Sequence, residues 1–366
     1  MTQRTFDERD RSAMRRALEL AARGLNTTDP NPRVGCVIVK DGRTIGEGWH
    51  ERAGEAHAEV RALRAAGEAA QGATAYVTLE PCSHHGRTPP CVDALVTAGV
   101  TRVIFALQDP NPRVQGRGAE RLRAAGIDVT FGLLAEEATE LNVGFIKRMM
   151  HALPFVRLKL ASSLDGRTAL SSGASRWITG EAARADVQHW RARSSAILTG
   201  IGTVLADDPR LNVRLDGEEH RQPLRVVLDS GLRTPPQSRL FETPGVLICC
   251  SSQDPERRAL LEARGARIET FPSDADGRLD LRRVLARLAE LEVNELHVEA
   301  GAILAGSLVQ AALVDELLVY FAPMLLGPQA RALVELPPVA KLALAPRFVI
   351  RETREIGADV RLRLRP

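Results

Sequence analysis

Apolar and polar positions along this chain follow two rhythms. Met14, Ala17, Leu18, Ala21 and Ala22 recur at the spacing of one helical face, and "DPNP" ends that pattern. "VGCVIV" is a β-branched run, "KDG" a tight turn and "RTIGEGWH" a returning strand, which together predict a hairpin. The Ala-, Glu- and Arg-rich stretch from Ala56 to Ala70 predicts a helix. "ATAYVTLE", "CVDALVTAGV" and "RVIFALQ" then alternate strand, helix and strand. "GAERLRAAG" and "IDVTFG" repeat the alternation, and "LAEEATELNVGFIKRMMH" closes it with one helix. Such alternation predicts an α/β sheet covered on both faces.

"MMHALP", ending at Pro154, marks a seam. "FVRLKLASSLDGRTAL" starts a second strand system with a "DG" turn, and a helix around Gly180–Arg193 leads into the strand "AILTG". "LRVVLDS", "GVLICC", "ELHVEAG", "DELLVYFAPMLLG" and "VRLRLRP" supply further strands, so this half is also α/β. "DPNPRV" occurs at Asp29–Val34 and again at Asp109–Val114, but without the fixed period of a repeat architecture. Two turns sharing Asn-Pro chemistry account for it, with Asn31 left open as a site residue.

Length adds the domain count. At 366 residues the chain exceeds what one core usually organises, and two domains, 1–150 and 151–366, are expected. A net charge of +3, spread along the chain, gives no electrostatic footprint for nucleic acid. The N-terminal stretch lacks the apolar core of a signal peptide, and no apolar run would cross a bilayer. Five irregularly spaced cysteines do not form a disulfide framework. A cytoplasmic protein with reduced thiols is expected, working on a small molecule without nucleic acid or membrane.

Those thiols give the first chemistry. In "HAE", His57 can hold a metal while Glu59, two residues on at a helix start, reaches over a bound water without ligating. Cys82 follows a strand and a proline, and Cys91 follows "PP" at the next helix start. One imidazole and two thiolates suit a catalytic zinc that keeps its fourth position open. Zinc deaminases carry H-x-E and P-C-x-x-C, with the glutamate as proton shuttle. Here the second cysteine stands nine positions after the first, and the insert "SHHGRTPP" is basic and Pro-locked. His84 and His85 are alternative ligands, more simply substrate contacts or solvent-facing. Cys36, Cys249 and Cys250 lie in apolar strands and belong to the core.

"NPRVGCVIV", "GEGWH", "HAEVRAL", "LEPCSHHGRTPPC" and "DPNPRVQGRG" resemble the deaminase half of the bifunctional deaminase–reductases of riboflavin biosynthesis. "LKLASSLDGRTA", "SGASRWITG", "AILTGIGTVLADDPRLNVR" and "VEAGAILAGSL" resemble their reductase half. The nine-residue cysteine step is typical of that family. The resemblance implies a cytidine-deaminase-like three-layer α/β/α domain followed by a dihydrofolate-reductase-like α/β domain. It implies zinc-dependent removal of an amino group from a diaminopyrimidinone ribosylamine 5′-phosphate, then reduction of the ribosyl chain to ribityl by NADPH. Assembly as a homo-oligomer is expected.

By the same resemblance Asn31, His50 and Arg87 fall on substrate positions of the first domain, with the Arg87 guanidinium suited to a phosphate. In the second, Ala161, Trp177, Thr203, Asp207 and Ser230 fall on cofactor positions. Ser175, Arg191, Leu211, Arg214 and Glu299 fall on substrate positions, the two arginines suiting a phosphate by forked hydrogen bonds. "VEAGAILAGSL" reads as strand, small-residue turn and helix start. Backbone N–H groups of Gly301, Ala302, Ile303, Leu304, Ala305, Gly306 and Ser307 would cradle the cofactor's phosphates there. Lys159, alternating along "VRLKL", points either into this pocket or to solvent. Two rivals compete: a base deaminase whose second half only binds ligand, and a regulatory protein that kept the fold. An intact Glu59 argues against the second, since a structural zinc has no use for it.

Overall fold

The computed structural model describes residues 6–83, 89–112, 114–217 and 219–366. Two compact units divide the chain, Met1–Ala152 and Leu153–Pro366.

The first unit opens with α1 (Glu8–Ala22), where the Asp7 carboxylate accepts the Asp10 N–H and Asp10 returns the bond. The hairpin forms as β1 (Gly35–Lys40) and β2 (Arg43–Trp49), with Asp41 and Gly42 both at positive φ, as a two-residue type I′ turn needs. Helix α2 (Ala58–Ala66), β3 (Thr74–Val77), α3 (Cys91–Thr97), β4 (Arg102–Phe105), α4 (Arg117–Ala124) and β5 (Asp128–Phe131) follow. The sheet order is β2-β1-β3-β4-β5, antiparallel at the hairpin and parallel from β3 to β5.

Strand periodicity places the two faces. Cys36, Ile38, Ala75, Val77, Val103 and Phe105 point into a core closed by residues of α2, α3 and α4. Val37, Tyr76 and Ile104 point the opposite way, against α1. "GEGWH" acquires a packing reason here. A side chain at Gly46 would lie 2.2 Å from the Ala62 carbonyl oxygen, and one at Gly48 2.6 Å from that of Ala58. Both glycines let α2 lie directly on β2, which fixes where α2 begins.

The pattern predicts one closing helix; the structure has two, α5 (Ala135–Leu141) and α6 (Val143–His151). Asn142 causes the break. Its buried side chain accepts the Arg33 N–H at 2.8 Å and donates to the Arg33 carbonyl at 2.9 Å, and its φ of −121° leaves the helix. The helix at 56–70 is likewise shorter, ending at Ala66 and running on as one 3-10 turn.

The second unit starts with β6 (Phe155–Ser163) and β7 (Arg167–Ala169), then α7 (Glu181–Arg193), β8 (Ala196–Gly200) and α8 (Ile201–Asp207). After β9 (Leu224–Leu228) come β10 (Val246–Cys250), α9 (Pro255–Glu262), β11 (Ala266–Thr270) and α10 (Leu281–Glu290). Strand β12 (Glu295–Glu299) runs into α11 (Ala302–Gln310), then β13 (Glu316–Ala322), β14 (Arg331–Ala332), β15 (Val349–Ile356) and β16 (Asp359–Arg365). The main sheet has the order β11-β10-β9-β8-β12-β6-β13-β16-β15, parallel as far as β13 and antiparallel beyond. Sequence pattern does not reveal β11 or β15. "ARIET" is short, and "VIRETREI" is a largely exposed edge strand with polar residues on both faces.

One part of this core is charged. Arg157, fully buried, pairs with Glu316 at 2.7 Å and Glu295 at 2.8 Å, both also fully buried. Arg193 reaches Glu295, and Arg363 and Arg365 reach Glu316. Trp190 lies against the Arg157 guanidinium, 4.6 Å from the ring centroid.

Candidate metal centre and ligand cavity

In the first unit, β3, α2 and α3 bring together groups far apart in the chain. His57 is the residue just before α2, and Cys91 is the first residue of α3. Cys82 sits on the segment leaving β3, whose backbone is tied to α3 by the Val92 N–H bond to the Cys82 carbonyl. His57 Nδ1 lies 3.2 Å from Cys91 Sγ and 3.6 Å from Cys82 Sγ, and the three ligand atoms all fall within 4.8 Å of one another. Tetrahedral zinc with ordinary bond lengths separates N and S ligands by about 3.6 Å and two sulfurs by about 3.8 Å. The donor set therefore fits zinc in chemistry and spacing, with a fourth position left over.

Hydrogen bonds, first with Cys91 and then with His57, outweigh burial and lower the Cys82 thiol to about 4, while the same contact and burial raise that of Cys91, so in the absence of a cation the pair carries one negative charge. Glu59 is 3 % exposed, and its Oε2 has no hydrogen-bond partner among the described residues. Burial, then the negative Cys82 sulfur, pushes its carboxyl up to about 7. A buried carboxyl with an unused oxygen beside three metal ligands is suited to carrying a proton.

Asn31 and His50 meet one another. The Asn31 amide nitrogen is 3.0 Å from His50 Nε2; the amide donates, so Nε2 accepts and the ring proton sits on Nδ1, 3.4 Å from the Ala56 carbonyl. The His50 and His57 rings meet edge to face, 5.3 Å apart. Arg87, His84 and His85 lie outside the described residues.

Pattern alone passes over Glu80. Its buried carboxylate accepts the N–H groups of Asp109, Gly116 and Ala119. The second "DPNPRV" is thus more than a turn: it begins a loop wrapped around the residue two before Cys82. The proximity of Glu80 to the ligand in "LEPC" was the available signal.

In the second unit a cavity of about 1400 Å³ opens along the carboxyl ends of the parallel strands, larger than an ordinary single-ligand pocket. Lys159, Ala161, Ser175, Thr203, Asp207, Ser230 and Glu299 line it. So do Gly301, Ala302, Ile303, Leu304 and Ser307. Lys159 therefore faces the cavity, and burial, countered by Glu299, holds its ammonium below the ordinary range.

Four expected residues behave differently. Arg191 gives its fork to Glu299, at 2.5 and 2.8 Å, and its remaining nitrogen to the Asn212 carbonyl. Burial alone would raise the Glu299 carboxyl, but Arg191 and then His297 hold it well below the usual range. Burial, then the Arg191 and Arg210 charges, lower the Arg214 guanidinium, although Arg191 and Arg210 are themselves paired with Glu299 and Glu242. Leu211 is buried in the core at positive φ, and Trp177 is 67 % exposed beside the Arg184 guanidinium. None of the four is on the cavity wall. Ala305 and Gly306 also turn away from it. Ala305 packs in the core with its N–H spent on the Gly301 carbonyl, and a side chain at Gly306 would lie 1.7 Å from the Glu335 oxygen. The free N–H groups of α11 are those of its first turn, Ala302 to Leu304.

A His–Cys–Cys set able to hold a metal, with a buried glutamate close by, is the pattern of the zinc-dependent hydrolytic deaminases, and here a second unit with its own large cavity follows it. Comparison with known proteins agrees in both halves. Residues 7–107 match the cytidine and deoxycytidylate deaminase zinc-binding region, and residues 154–362 match the RibD C-terminal domain. The riboflavin biosynthesis protein RibD of Escherichia coli is 55% identical over 97% of this chain and 99% of its own. That of Haemophilus influenzae is 50% identical over 99% and 98%. The solved structure of Acinetobacter baumannii RibD superposes with a TM-score of 0.91 at 47% identity, covering 98% of this chain and 99% of that one. A Thermotoga maritima deaminase/reductase superposes at 0.86, with 34% identity and the same coverage. The chain belongs to the RibD family of bifunctional riboflavin-biosynthesis enzymes. Its first unit has the expected cytidine-deaminase-like fold, and its second the dihydrofolate-reductase-like reductase fold.

Proposed function

We propose that the first unit hydrolyses the 2-amino group of 2,5-diamino-6-ribosylamino-4(3H)-pyrimidinone 5′-phosphate. The second then reduces the ribosyl chain of the product, 5-amino-6-(5-phosphoribosylamino)uracil, to ribityl with NADPH. The observation that carries this is the unpartnered Glu59 oxygen beside the His57, Cys82 and Cys91 ligand atoms.

Zinc held by these three side chains supplies the Lewis acidity that makes water a nucleophile near neutral pH. Glu59 takes one proton from the attacking water and gives it to the ring nitrogen, then takes the second from the resulting hydroxyl and gives it to the departing amine. Water adds to the ring carbon, ammonia leaves, and a carbonyl oxygen takes the place of the amino group. A carboxyl poised near 7 can both accept and release that proton. His50, with both ring nitrogens engaged by Asn31 and the Ala56 carbonyl, holds the Asn31 amide in place for the pyrimidinone edge.

In the second unit NADPH supplies the hydride. The first-turn N–H groups of α11 bind its phosphates. Lys159, Ser175 and Glu299 hold the sugar, and Lys159 gives a proton to the oxygen freed when the ribosyl ring opens. Arg191 acts on substrate through Glu299, and Arg214 supplies charge for the 5′-phosphate. The protein works in the cytoplasm as a homo-oligomer. Reduced thiols support the first statement, and exposed Leu342, Leu344, Val349 and Ile350 near the edge strand support the second.

The test follows reduced nicotinamide and ammonia together, in the wild type and in Glu59→Gln. Substrate-dependent NADPH oxidation should vanish in the variant and return when the deaminated intermediate is supplied. Ammonia release without NADPH oxidation, even from the intermediate, would remove the second half of the proposal.

A further inference from the structure

Side chains along β12 alternate between two environments. Leu296 and Val298 enter the apolar core on one face of the sheet, and Glu295, His297 and Glu299 project from the other. Helix α7 reaches that second face. It gives Arg193 to Glu295 at 2.8 Å and Arg191 to Glu299 at 2.5 Å, so His297 lies between two ion pairs. On the neighbouring strand β6, Arg157 stands beside His297 and Lys159 beside Glu299. The proposed reduction uses Glu299, Arg191 and Lys159 and leaves His297 without a task.

His297 is fully buried, and both of its ring nitrogens lack a hydrogen-bond partner among the described residues. A buried polar ring left unbonded is costly. The acceptor at hand is Glu299, whose Oε1 lies 3.4 Å from His297 Nε2, and a small turn of the imidazole would complete that bond. Burial, then Arg191 and Arg157, outweighs the pull of Glu299 and holds the ring below the ordinary histidine range, so it is neutral and carries one N–H. The same Oε1 accepts Arg191 Nε, while Arg191 Nη2 holds Oε2 at 2.8 Å. From β8, Thr199 donates its hydroxyl to the Glu299 backbone carbonyl at 2.7 Å. Glu299 is thus tied at backbone and carboxylate from two other elements, and the imidazole beside it remains unspent.

We infer that His297 is a positioning residue for the reduction: its imidazole donates the Nε2 proton to Glu299 Oε1 and, with Arg191, fixes the orientation in which that carboxylate meets the sugar. The inference rests on the proposed NADPH-dependent reduction. No proton changes hands; the gain is a carboxylate held in one geometry before the substrate arrives. Arg191 reaches Glu299 on a long stem from α7, whereas His297 stands on the same strand and supplies its donor from a rigid base. A neutral donor also adds a bond without adding a cation. A further positive charge here would press on Lys159, whose ammonium burial already holds below the ordinary range.

The experiment has two readouts, both on the full-length protein. Long-range proton–nitrogen spectra of histidine-labelled wild type should show His297 as the neutral Nε2–H tautomer, its resonance assigned by its loss in His297→Gln. An Nδ1–H tautomer, or a charged ring at neutral pH, overturns the inference whatever the activity. The second readout is NADPH oxidation on supplied deaminated intermediate. His297→Leu and His297→Met fill the space without a donor and should lower kcat about 10- to 100-fold, with KM for NADPH and ammonia release unchanged. His297→Gln, whose amide N–H reaches the place of Nε2, should restore most of the rate. In a Glu299→Gln background the Leu substitution should cost nothing further, because the partner it acts through is already changed. Equal losses in both backgrounds, or a Gln variant no better than Leu, overturns the inference, since that is the mark of a ring kept for packing. Failure of the wild type to reduce the intermediate strikes the proposed reductase reaction, whereas an intact wild-type reaction unmoved by His297→Leu strikes His297 alone.

Discussion

Gly118 offers the sharpest test of how this fold holds its metal centre. It lies in the first turn of α4, at the end of "DPNPRVQGRG", and helix propensity alone says that alanine there should stabilise by up to about 1 kcal/mol. Packing says the reverse. A Cβ at Gly118 would stand 2.2 Å from the carbonyl oxygen of Pro81 and 3.1 Å from the Glu80 side chain. The first of these is backbone, joined directly to Cys82, so relief requires the ligand segment or α4 to move by about 1 Å. The Glu80 carboxylate, bonded to Asp109, Gly116 and Ala119, resists the second movement. Overpacking of this kind costs about 1–3 kcal/mol in stability. Displacing a catalytic group by about 1 Å costs on the order of 100-fold in rate. Gly118→Ala should therefore release ammonia about 100-fold more slowly, while reduction of supplied intermediate, catalysed by the other unit, proceeds at the wild-type rate. Zinc content, measured on the same sample, shows whether the loss comes from the metal or from its placement. Ammonia release within twofold of wild type would show that the segment carrying Cys82 yields freely, and the packing account would fail.

Other expectations concern the charged core of the second unit. Arg157→Met leaves the buried Glu295 and Glu316 short of a partner and should cost about 3–5 kcal/mol. Calorimetry should show the melting of this unit falling by roughly 6–20 °C, and a shift under about 2 °C would mean Arg193, Arg363 and Arg365 suffice without it. Glu316 also gives a pH dependence. Burial pushes its carboxyl up, but Arg157 and Arg363 outweigh burial and hold it at about 2, against an ordinary 4.5. A lowered carboxyl contributes stability above its unfolded value and loses it as pH falls toward the folded one. Urea titrations should show up to about 3 kcal/mol lost between those limits, and Glu316→Gln, already weakened at neutral pH, should lose correspondingly less on acidification. An identical acid slope in both proteins would contradict the assignment.

What the sequence determined by itself was everything local or compositional. The β1–β2 hairpin follows from β-branched runs around Asp41-Gly42, and the helices covering the first sheet from their apolar spacing. His57, Cys82, Cys91 and Glu59 could be picked out as a candidate zinc site from residue type, spacing and helix-start position, because a metal accepts few side chains and each element start is marked by Pro or by a change of period. Tertiary structure decided what depends on partners distant in the chain. Asn142 interrupts a continuous helical pattern because it bonds Arg33. Arg191, suited by type to a phosphate, is spent on Glu299, a hundred residues away. Ala305 and Gly306, inseparable from their neighbours in "AGAILAGSL", turn inward because α11 has only one face on the cavity. Strand β11 forms beside β10 and strand β15 beside β16, pairing that the mixed polar pattern of "ARIET" and "VIRETREI" does not announce. Glu80 organises a loop thirty residues downstream through three backbone N–H groups, which leave no trace in side-chain pattern at all. Periodicity records which way a side chain points; only the folded chain determines which donor, acceptor or charge it meets there.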